Sequence, residues 1–409
     1  MNLKTSEETS YYVSRGLVLL MAIVCGFTVA NVYLNQTLLV SMSTTFHGSA
    51  ASIGIITTLT QIGYALGNLL LVPLGDMFER KKLILILLCF VCIVLALNAL
   101  SINTTWIMIA SLTLGVVTVI PQIIVPLAAD IASDDNRGKV LGNVAIGLVC
   151  GILGARLISG FIDAHFGWRV VYWTAAVATL LMIFLVTAYL PKSKGTNVTN
   201  YKNLLLSLGP LFIKEKVLQK ACLSQGMMFA SFSAFWTTLV FLLHTHPYSY
   251  GSSMAGLIGL VGIAGAFATP IVGRLIDRRG AKFANFLCMS ISLIAFVGLV
   301  WGGYWLPGLI LGALLITVGT QANQVACQFN IFQLEVEKRS RLNGLYMVST
   351  FLGGSLGSYI GLLAWSKWQW HGVCSIAIIM VTISFSSLIK NEIPERTVKS
   401  LMGKKGRNI

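Results

Sequence analysis

The sequence predicts an all-α polytopic membrane protein with twelve transmembrane helices. Twelve mostly apolar stretches of about 20 residues, long enough to cross a bilayer, take up nearly all of the chain. Of its 409 residues, 56% are hydrophobic and 11% are charged, whereas a soluble domain has about 25% charged residues. Because only helices and closed barrels satisfy their backbone groups inside lipid, stretches of this length are expected to be helices.

The twelve predicted helices, called span 1 to span 12, follow from the apolar length and from the polar residues that interrupt it. Their predicted limits are 16–41, 51–74, 83–101, 105–129, 140–162, 170–190, 219–243, 252–275, 283–301, 305–331, 342–364 and 371–390. The chain therefore divides into a six-helix bundle at 1–190, a linker at 191–218, a second six-helix bundle at 219–390 and a tail at 391–409. The apolar middle of the linker, 204–212, predicts a short helix along the membrane surface.

Lysine and arginine predict the orientation in the membrane. Loops on the side of the two termini hold 26 of the 29 basic residues, and the opposite side holds only Arg169 and Lys367. An excess of basic residues marks the cytoplasm, so both termini and the linker are predicted to be cytoplasmic, in an inner or plasma membrane. The net charge of +15 does not indicate nucleic acid as a partner, because the basic residues lie at helix ends and face the lipid bilayer. The opposite loops are expected to carry five solvated residues: His47, Asp163, His165, His244 and His246.

The two halves of the chain repeat one loop motif. The segment 73–82, PLGDMFERKK, follows span 2, and the segment 273–282, GRLIDRRGAK, follows span 8. Their acidic residues, Asp76 and Asp277, are 201 positions apart (277 minus 76). Two six-helix units in tandem are the organisation of a parallel-repeat transporter.

With these motifs the chain resembles the major facilitator superfamily over nearly its whole length. The family signature, G-x-L-x-D-R-x-G-R-K, is matched in the second copy by Gly273, Leu275, Asp277, Arg278, Gly280 and Lys282. The first copy keeps Leu74, Asp76, Arg80 and Lys81 and departs from the signature at Val72, Met77 and Glu79. The strings at 31–36, 167–169 and 339–343 are similar to a bacterial branch of twelve-helix drug and metabolite exporters.

The resemblance implies that the signature loops act as a gate. The implied gating residues are Asp76, Arg80, Lys81, Asp277, Arg278 and Gly280. A carboxylate at a helix end can bond the N–H groups of a facing helix and pair with arginine, which would close the cytoplasmic side. The alternative is that the loops serve only solubility and orientation.

Arg156 is the outstanding polar residue inside a predicted span. A central arginine costs about 2.5–3.5 kcal/mol to insert, and no Asp or Glu lies at a similar depth in any predicted span. Arg156 is therefore expected to face water or a partner. Either its planar guanidinium binds a substrate carboxylate or phosphate, or it is structural and bonds carbonyl or amide groups.

Further substrate contacts are predicted from polar and aromatic residues on the spans that line a central cavity in the family. With Arg156, the predicted substrate-binding set is Asn31, Asn35, Gln36, Gln61, Gln122, Trp236, Gln321, Gln324 and Gln328. Amides there can orient a polar solute and tryptophan can supply apolar contact. The alternative is hydrogen bonding between helices, worth on the order of 1 kcal/mol each.

Glycines at three- and four-residue spacing in spans 2, 5, 8 and 11 allow close helix contact in lipid. They are Gly63 and Gly67 in span 2, Gly142, Gly147, Gly151, Gly154 and Gly160 in span 5, Gly256, Gly259, Gly262 and Gly265 in span 8, and Gly353, Gly357 and Gly361 in span 11. In the family these four spans meet between the halves and rock during transport. The glycine-proline motif of family antiporters lacks its proline here, and Ala155 lies near its expected place.

The sequence thus predicts a secondary active transporter, most simply a monomeric efflux permease for a small organic solute, with proton antiport presumed from the family. One alternative is an importer or exchanger of an organic anion held by Arg156, and another is a non-transporting receptor or assembly protein on the same fold. No cofactor, metal or enzymatic activity is expected, since no nucleophile arrangement, metal-ligand spacing or GxxxxGK[ST] loop is present. The predicted spans contain no buried carboxylate suited to proton coupling.

Overall fold

The protein is all-α, as predicted. The computed structural model describes residues 14–133, 136–192, 201–334 and 339–388, without the side chains of Asp76, 263–270, Asp277, Arg339 and Ser340. The described residues form helices and contain no strand. Below, the inner end of a span is the end on the side of the chain termini, and the outer end is the opposite one.

The first half contains six spans. Span 1 consists of α1 (Arg15–Tyr33) and α2 (Asn35–Phe46), span 2 is α3 (Ala50–Leu70), α4 (Leu74–Met77) lies in the following loop, span 3 is α5 (Arg80–Ala99), span 4 consists of α6 (Thr104–Val117) and α7 (Ile120–Ile131), span 5 is α8 (Arg137–Phe166), and span 6 is α9 (Trp168–Tyr189).

The second half follows the linker helix α10 (Tyr201–Lys214). Span 7 is α11 (Lys216–His244), span 8 consists of α12 (Ser252–Gly259) and the first part of α13 (Gly262–Gly302), span 9 is the second part of α13, span 10 is α14 (Leu306–Phe332), and spans 11 and 12 are the two parts of α15 (Arg339–Phe385). The chain reverses inside α13 at Gly280, with φ 82°, and inside α15 at Gln369, with φ 52°. Only glycine adopts the φ of Gly280 without steric cost.

Local chemistry explains several helix limits. The Ser49 side chain accepts a hydrogen bond from the Ser52 N–H and starts span 2, and Asn103 does the same for the Trp106 N–H at span 4. Span 4 is interrupted between α6 and α7, just before Pro121. Proline has no N–H to donate, so the interruption of this helix lies where its hydrogen-bond ladder must break.

Large apolar side chains cover the outside of the molecule. Phe90 of span 3 is 52% exposed, and Phe184 of span 6 and Ile294 of span 9 are each 67% exposed. Exposed tryptophans lie at outer ends, among them Trp301, Trp305 and Trp368. Apolar faces bordered by tryptophan are the pattern of helices that meet lipid and its interface.

The two halves meet along two pairs of spans. Span 2 packs against span 11, and span 5 packs against span 8. At the outer ends, Ser252 and Ser253 of span 8 donate hydrogen bonds to the carbonyl oxygen of Gly160 in span 5, at 3.3 and 3.4 Å. The contacts implied by the family resemblance are therefore present.

Most of the glycines named for these contacts have another role. Gly147 and Gly151 of span 5 pack on the backbone of span 1, and Gly353 and Gly357 of span 11 pack on span 7. Gly63 and Gly67 of span 2 pack on span 4. All six lie inside one half, so the assignment of these glycines to the contacts between halves is corrected. The closest backbone approaches hold each bundle together, and Gly160 with Gly256 forms a close contact between bundles.

Candidate functional site

Arg156 lies in the outer part of span 5, where spans 1, 5, 7 and 8 meet. Its side chain is 2% exposed. Gly256 and Gly259 of span 8 pack directly on it: a β-carbon added at Gly259 would lie 3.0 Å from the Arg156 β-carbon, and one at Gly256 would lie 2.6 Å from the Arg156 carbonyl oxygen. Because Gly256 and Gly259 have no side chain, span 8 of the second half packs directly over Arg156.

Aromatic rings from both halves surround the guanidinium group. The Arg156 Cζ atom lies 4.2 Å from the ring centroid of Trp236, 5.1 Å from that of Tyr33 and 5.8 Å from that of Phe232. Tyr33 belongs to span 1, and Phe232 and Trp236 belong to span 7. Cation–π contacts of this kind are worth about 0.5–2 kcal/mol and stabilise the buried charge in part.

Several hydrogen-bond donors of this cluster are unused. The Arg156 Nε donates to Gln36 Oε1 at 3.0 Å. The Arg156 Nη2, the Gln36 Nε2 and the Trp236 Nε1 atoms are buried and have no hydrogen-bond partner within the described residues. In the same part of the chain, no carboxylate pairs with Arg156. Three buried donors around one positive charge call for a partner rich in acceptors, since each unpaired donor costs about 1–3 kcal/mol.

Asp163 is a functional candidate that sequence reasoning missed. The expectation that it is solvated in a loop is wrong: Asp163 lies inside span 5 and is 6% exposed. Span 5 continues to Phe166, past its predicted end, and the extended span 1 brings Ser41 over the carboxyl group. The Ser41 hydroxyl donates to Asp163 Oδ2 at 2.6 Å, and Asp163 Oδ1 is buried without a partner among the described residues.

Arg156 and Asp163 share one face of span 5. Seven residues make almost two full helical turns, which separates the two α-carbons by about 10 Å along the axis. The seven-residue spacing of Arg156 and Asp163 is visible in the sequence. The predicted span 5 ends at 162, however, and so leaves Asp163 outside the membrane. The buried base Arg156 and the buried acid Asp163 therefore lie one above the other on the same helix face, and neither has an ionic partner within the described residues.

The other predicted amides occupy different surroundings. Asn35 donates to Thr60 Oγ1 at 2.8 Å and accepts from Thr57, so it joins spans 1 and 2. Gln61 donates to Ser233 Oγ at 3.2 Å, which joins span 2 to span 7 across the two halves. Gln122 donates to the Tyr64 hydroxyl at 3.5 Å.

Three predicted glutamines line one side of span 10. Gln321, Gln324 and Gln328 are half-buried, and Gln328 donates to Asn343 Oδ1 at 3.4 Å. Within the described part of the chain, no hydrogen bond joins them to the Arg156 cluster. Gln36 and Trp236 are thus the two predicted residues that contact Arg156, and Asn31 lines a separate cavity described below.

The gating residues lie at inner ends. Arg80 donates to the Gly75 carbonyl oxygen at 3.1 Å and pairs with Asp130 at 2.5 Å, so it ties the loop after span 2 to span 4. Lys81 donates to the Thr187 carbonyl oxygen of span 6 at 3.0 Å. Arg278 is exposed. The side chains of Asp76 and Asp277 lie outside the described residues, so their gating role stays a prediction.

Comparison with known proteins agrees with the fold. The family model of the Major Facilitator Superfamily matches residues 18–358. The uncharacterized transporter YgaY of Escherichia coli O157:H7 is 35% identical over 389 residues, which cover 94% of this chain and 99% of that protein. A probable sugar efflux transporter of Helicobacter pylori (strain P12) is 25% identical over 79% of this chain and 82% of its own length.

A solved structure shares the fold. The human organic anion transporter MFSD10 (TETRAN) superposes with a TM-score of 0.70 over 92% of this chain and 100% of that chain, at 16% sequence identity. At this identity the likeness concerns the fold alone.

Proposed function

This chain belongs to the major facilitator superfamily, and we propose that it carries a small organic anion across the membrane by alternating access, with Arg156 as the anchor of the anion. The protein is a multi-pass membrane transporter by family. The nature of the solute, its direction and the role of protons are the parts that we propose.

The observation that carries the proposal is the group of unused donors at Arg156. A buried charge without a partner destabilises a folded protein by several kcal/mol. A carboxylate or phosphate would accept a hydrogen bond from the Arg156 Nη2. Its oxygen atoms are also suitable acceptors for the unused N–H groups of Gln36 and Trp236. The rings of Tyr33, Phe232 and Trp236 would contact an apolar or aromatic part of the solute.

The position of the cluster suits alternating access. Gln36 and Tyr33 come from the first half, whereas Phe232 and Trp236 come from the second. An anion bound among them would bridge the halves, so its binding energy would depend on how the halves are arranged. A ligand shifts a conformational equilibrium only through such a difference in affinity.

Asp163 is proposed as the proton-binding group. The α-carbons of Arg156 and Asp163 lie about 10 Å apart along the helix axis. Two charges at that separation would interact by about 1.6 kcal/mol at an effective dielectric constant of about 20, which is close to a tenfold change in affinity. An ionised Asp163 would repel the anion, and a protonated Asp163 would not. Proton and anion are therefore expected to bind together and to move in the same direction, as in the alternative of an anion importer.

A binding screen and a flux assay test the proposal. Purified protein is screened by thermal shift against carboxylates and organic phosphates, and the best anion is then followed in proteoliposomes. Arg156→Gln should abolish the thermal shift and the flux, and Arg156→Lys should restore them in part, because a charge without the planar fork remains.

The matched control is Arg169→Gln. Arg169 stacks on Trp168 and donates to the Ser101 carbonyl oxygen at the outer side, away from the cluster. The Arg169→Gln protein should bind the anion with the affinity of the wild type. Wild-type affinity in a folded Arg156→Gln protein would overturn the proposal.

Export of an uncharged solute by proton antiport is the second candidate. The resemblance of the chain to bacterial exporters and the sugar efflux name of one relative favour it. In that case an outward solute gradient would drive protons inward, and sugars would give thermal shifts that anions do not.

A further inference from the structure

A large cavity lies on the outside of the first half. It is a groove of about 1270 Å³ between spans 1, 5 and 6, separate from the Arg156 cluster. Small-molecule sites usually measure about 300–1,000 Å³, so the groove is larger than a typical solute site.

The walls of the groove are apolar and uncovered by protein. Leu19 of span 1 is 60% exposed, Phe27 is 47% exposed, and Ile146 and Ile158 of span 5 are 62% and 58% exposed. All four line the groove. Because they lie within membrane spans, lipid chains are the material that meets them.

The inner end of the groove is basic. Arg15 and Lys139 line it together with Asn136 and Asn143, and among the residues that the structure describes no acidic one lines the groove. Both basic side chains are exposed, and neither makes a hydrogen bond or an ion pair with a described residue. The charge distribution predicts that this end faces the cytoplasm, where anionic lipids gather in the membrane leaflet.

The corresponding helices of the second half are joined by a hydrogen bond. There, Ser384 of span 12 donates to the Ser224 carbonyl oxygen of span 7 at 3.1 Å and joins the two helices. In the first half, small residues such as Ala175, Ala178 and Gly154 line the gap between spans 5 and 6.

We propose that this groove binds one anionic phospholipid. The phosphate lies between Arg15 and Lys139, and an acyl chain follows the apolar wall toward Ile158. The proposal rests on the charge at one end and the apolar exposure along the rest, and it does not depend on the transported solute.

One polar residue provides an internal test. Asn31 is 4% exposed, lines the groove and has no hydrogen-bond partner within the described residues. It lies sixteen residues after Arg15, which is about 24 Å along a helix and too deep for a lipid headgroup. A polar solute in the groove would depend on Asn31, whereas a phospholipid would depend on the basic pair.

Native mass spectrometry measures the lipid directly. The protein is taken from vesicles made of equal amounts of phosphatidylcholine and phosphatidylglycerol, and the retained lipid is identified. Wild type should retain phosphatidylglycerol in preference to phosphatidylcholine. The double variant Arg15→Gln, Lys139→Gln should lower this preference about thirtyfold, from the contribution of two basic residues near a membrane surface.

Two further variants control the result. Lys82→Gln with Lys216→Gln removes two exposed charges outside the groove lining and should keep the preference. Gly154→Leu should reduce the retained lipid without unfolding the protein, because a β-carbon at Gly154 meets nothing closer than 3.8 Å.

Three results would overturn the proposal. They are equal retention of both lipids by the wild type, an equal loss in the Lys82 and Lys216 control, and a loss in Asn31→Ala that the Arg15 and Lys139 variant does not show.

Discussion

The two halves of the molecule use the same contacts between their helices but differ in the residues that face each other. Thr37 and Ser159 share a hydrogen bond of 2.7 Å between spans 1 and 5, and Thr237 and Ser358 share one of 2.8 Å between spans 7 and 11. The two pairs are 200 and 199 positions apart (237 minus 37 and 358 minus 159). One packing arrangement is therefore present twice.

The same offset shows where the halves diverge. Arg156 corresponds to Ser355, and Asp163 corresponds to Leu362, each 199 positions later. Ser355 donates to the Leu352 carbonyl oxygen of its own helix, and Leu362 is a buried apolar residue. The first half thus supplies the charges, and the second half supplies the aromatic wall through Phe232 and Trp236. The packing of the helices is therefore common to both halves, whereas the charged and aromatic residues at the Arg156 cluster differ between them.

The largest effect is expected where the scaffold is common to both halves. Gly151→Leu and Gly357→Leu each place a side chain against the backbone of the neighbouring span. Overpacking of this kind costs about 1–3 kcal/mol or more, so both variants should lower the thermal midpoint strongly and to a similar degree. Fluorescence-detected size exclusion after heating measures this.

Gly142→Leu is the control for these two variants, because nothing lies within 4 Å of a β-carbon at Gly142. Its midpoint should stay near that of the wild type. A stable Gly357→Leu protein beside an unfolded Gly151→Leu protein would refute the common scaffold.

A smaller effect is expected from the carboxyl group that one half alone carries. The anion affinity of the wild type should fall as pH rises, because an ionised Asp163 repels the anion. Asp163→Asn should remove this dependence and bind the anion about tenfold more tightly at high pH than the wild type does. Titration calorimetry across pH gives the affinities.

Leu362→Ala, at the corresponding position of the second half, should keep the pH dependence of the wild type. If Asp163→Asn also keeps it, Asp163 is not the group that binds the proton.

Effects of the same size or smaller should separate the contributions of Gln36 and Trp236 to anion binding. Gln36→Leu removes the acceptor of the Arg156 Nε and a free donor, and it should weaken anion binding about tenfold. Trp236→Phe keeps a ring and removes one N–H, so it should weaken binding about threefold. Competition binding with a labelled anion measures the affinity of both variants. A stronger effect of Trp236→Phe than of Gln36→Leu would contradict the assignment of Gln36 as the main polar contact and of Trp236 as mainly an apolar contact.

Much of the architecture was predictable because apolar length and basic residues act locally. The limits of span 2 differ from the prediction by a few residues, and the surface helix predicted at 204–212 lies within Tyr201–Lys214. Gly280, which matches the loop signature, is where α13 reverses. The sequence also directed attention to Arg156, Gln36 and Trp236, and both Gln36 and Trp236 contact Arg156.

The remaining features depend on long-range packing. Glycine spacing shows that a helix can be approached closely, but it does not identify the neighbour, so Gly63 and Gly353 were assigned to the wrong contact. Asp163 was missed because its burial depends on how far two helices extend beyond the apolar core. The groove beside span 6 is lined by residues of three spans, so no local pattern in the sequence reports it.

The position of a bound anion tests most directly whether Arg156 is its anchor. A brominated analogue of the anion found in the binding screen is added to the protein, and its anomalous scattering is located in a crystal. We expect bromine density between spans 1, 5 and 7, with the acidic group of the analogue on the Arg156 guanidinium. Density beside Gln321, Gln324 and Gln328 of span 10, with the Arg156 donors still unpaired, would contradict it.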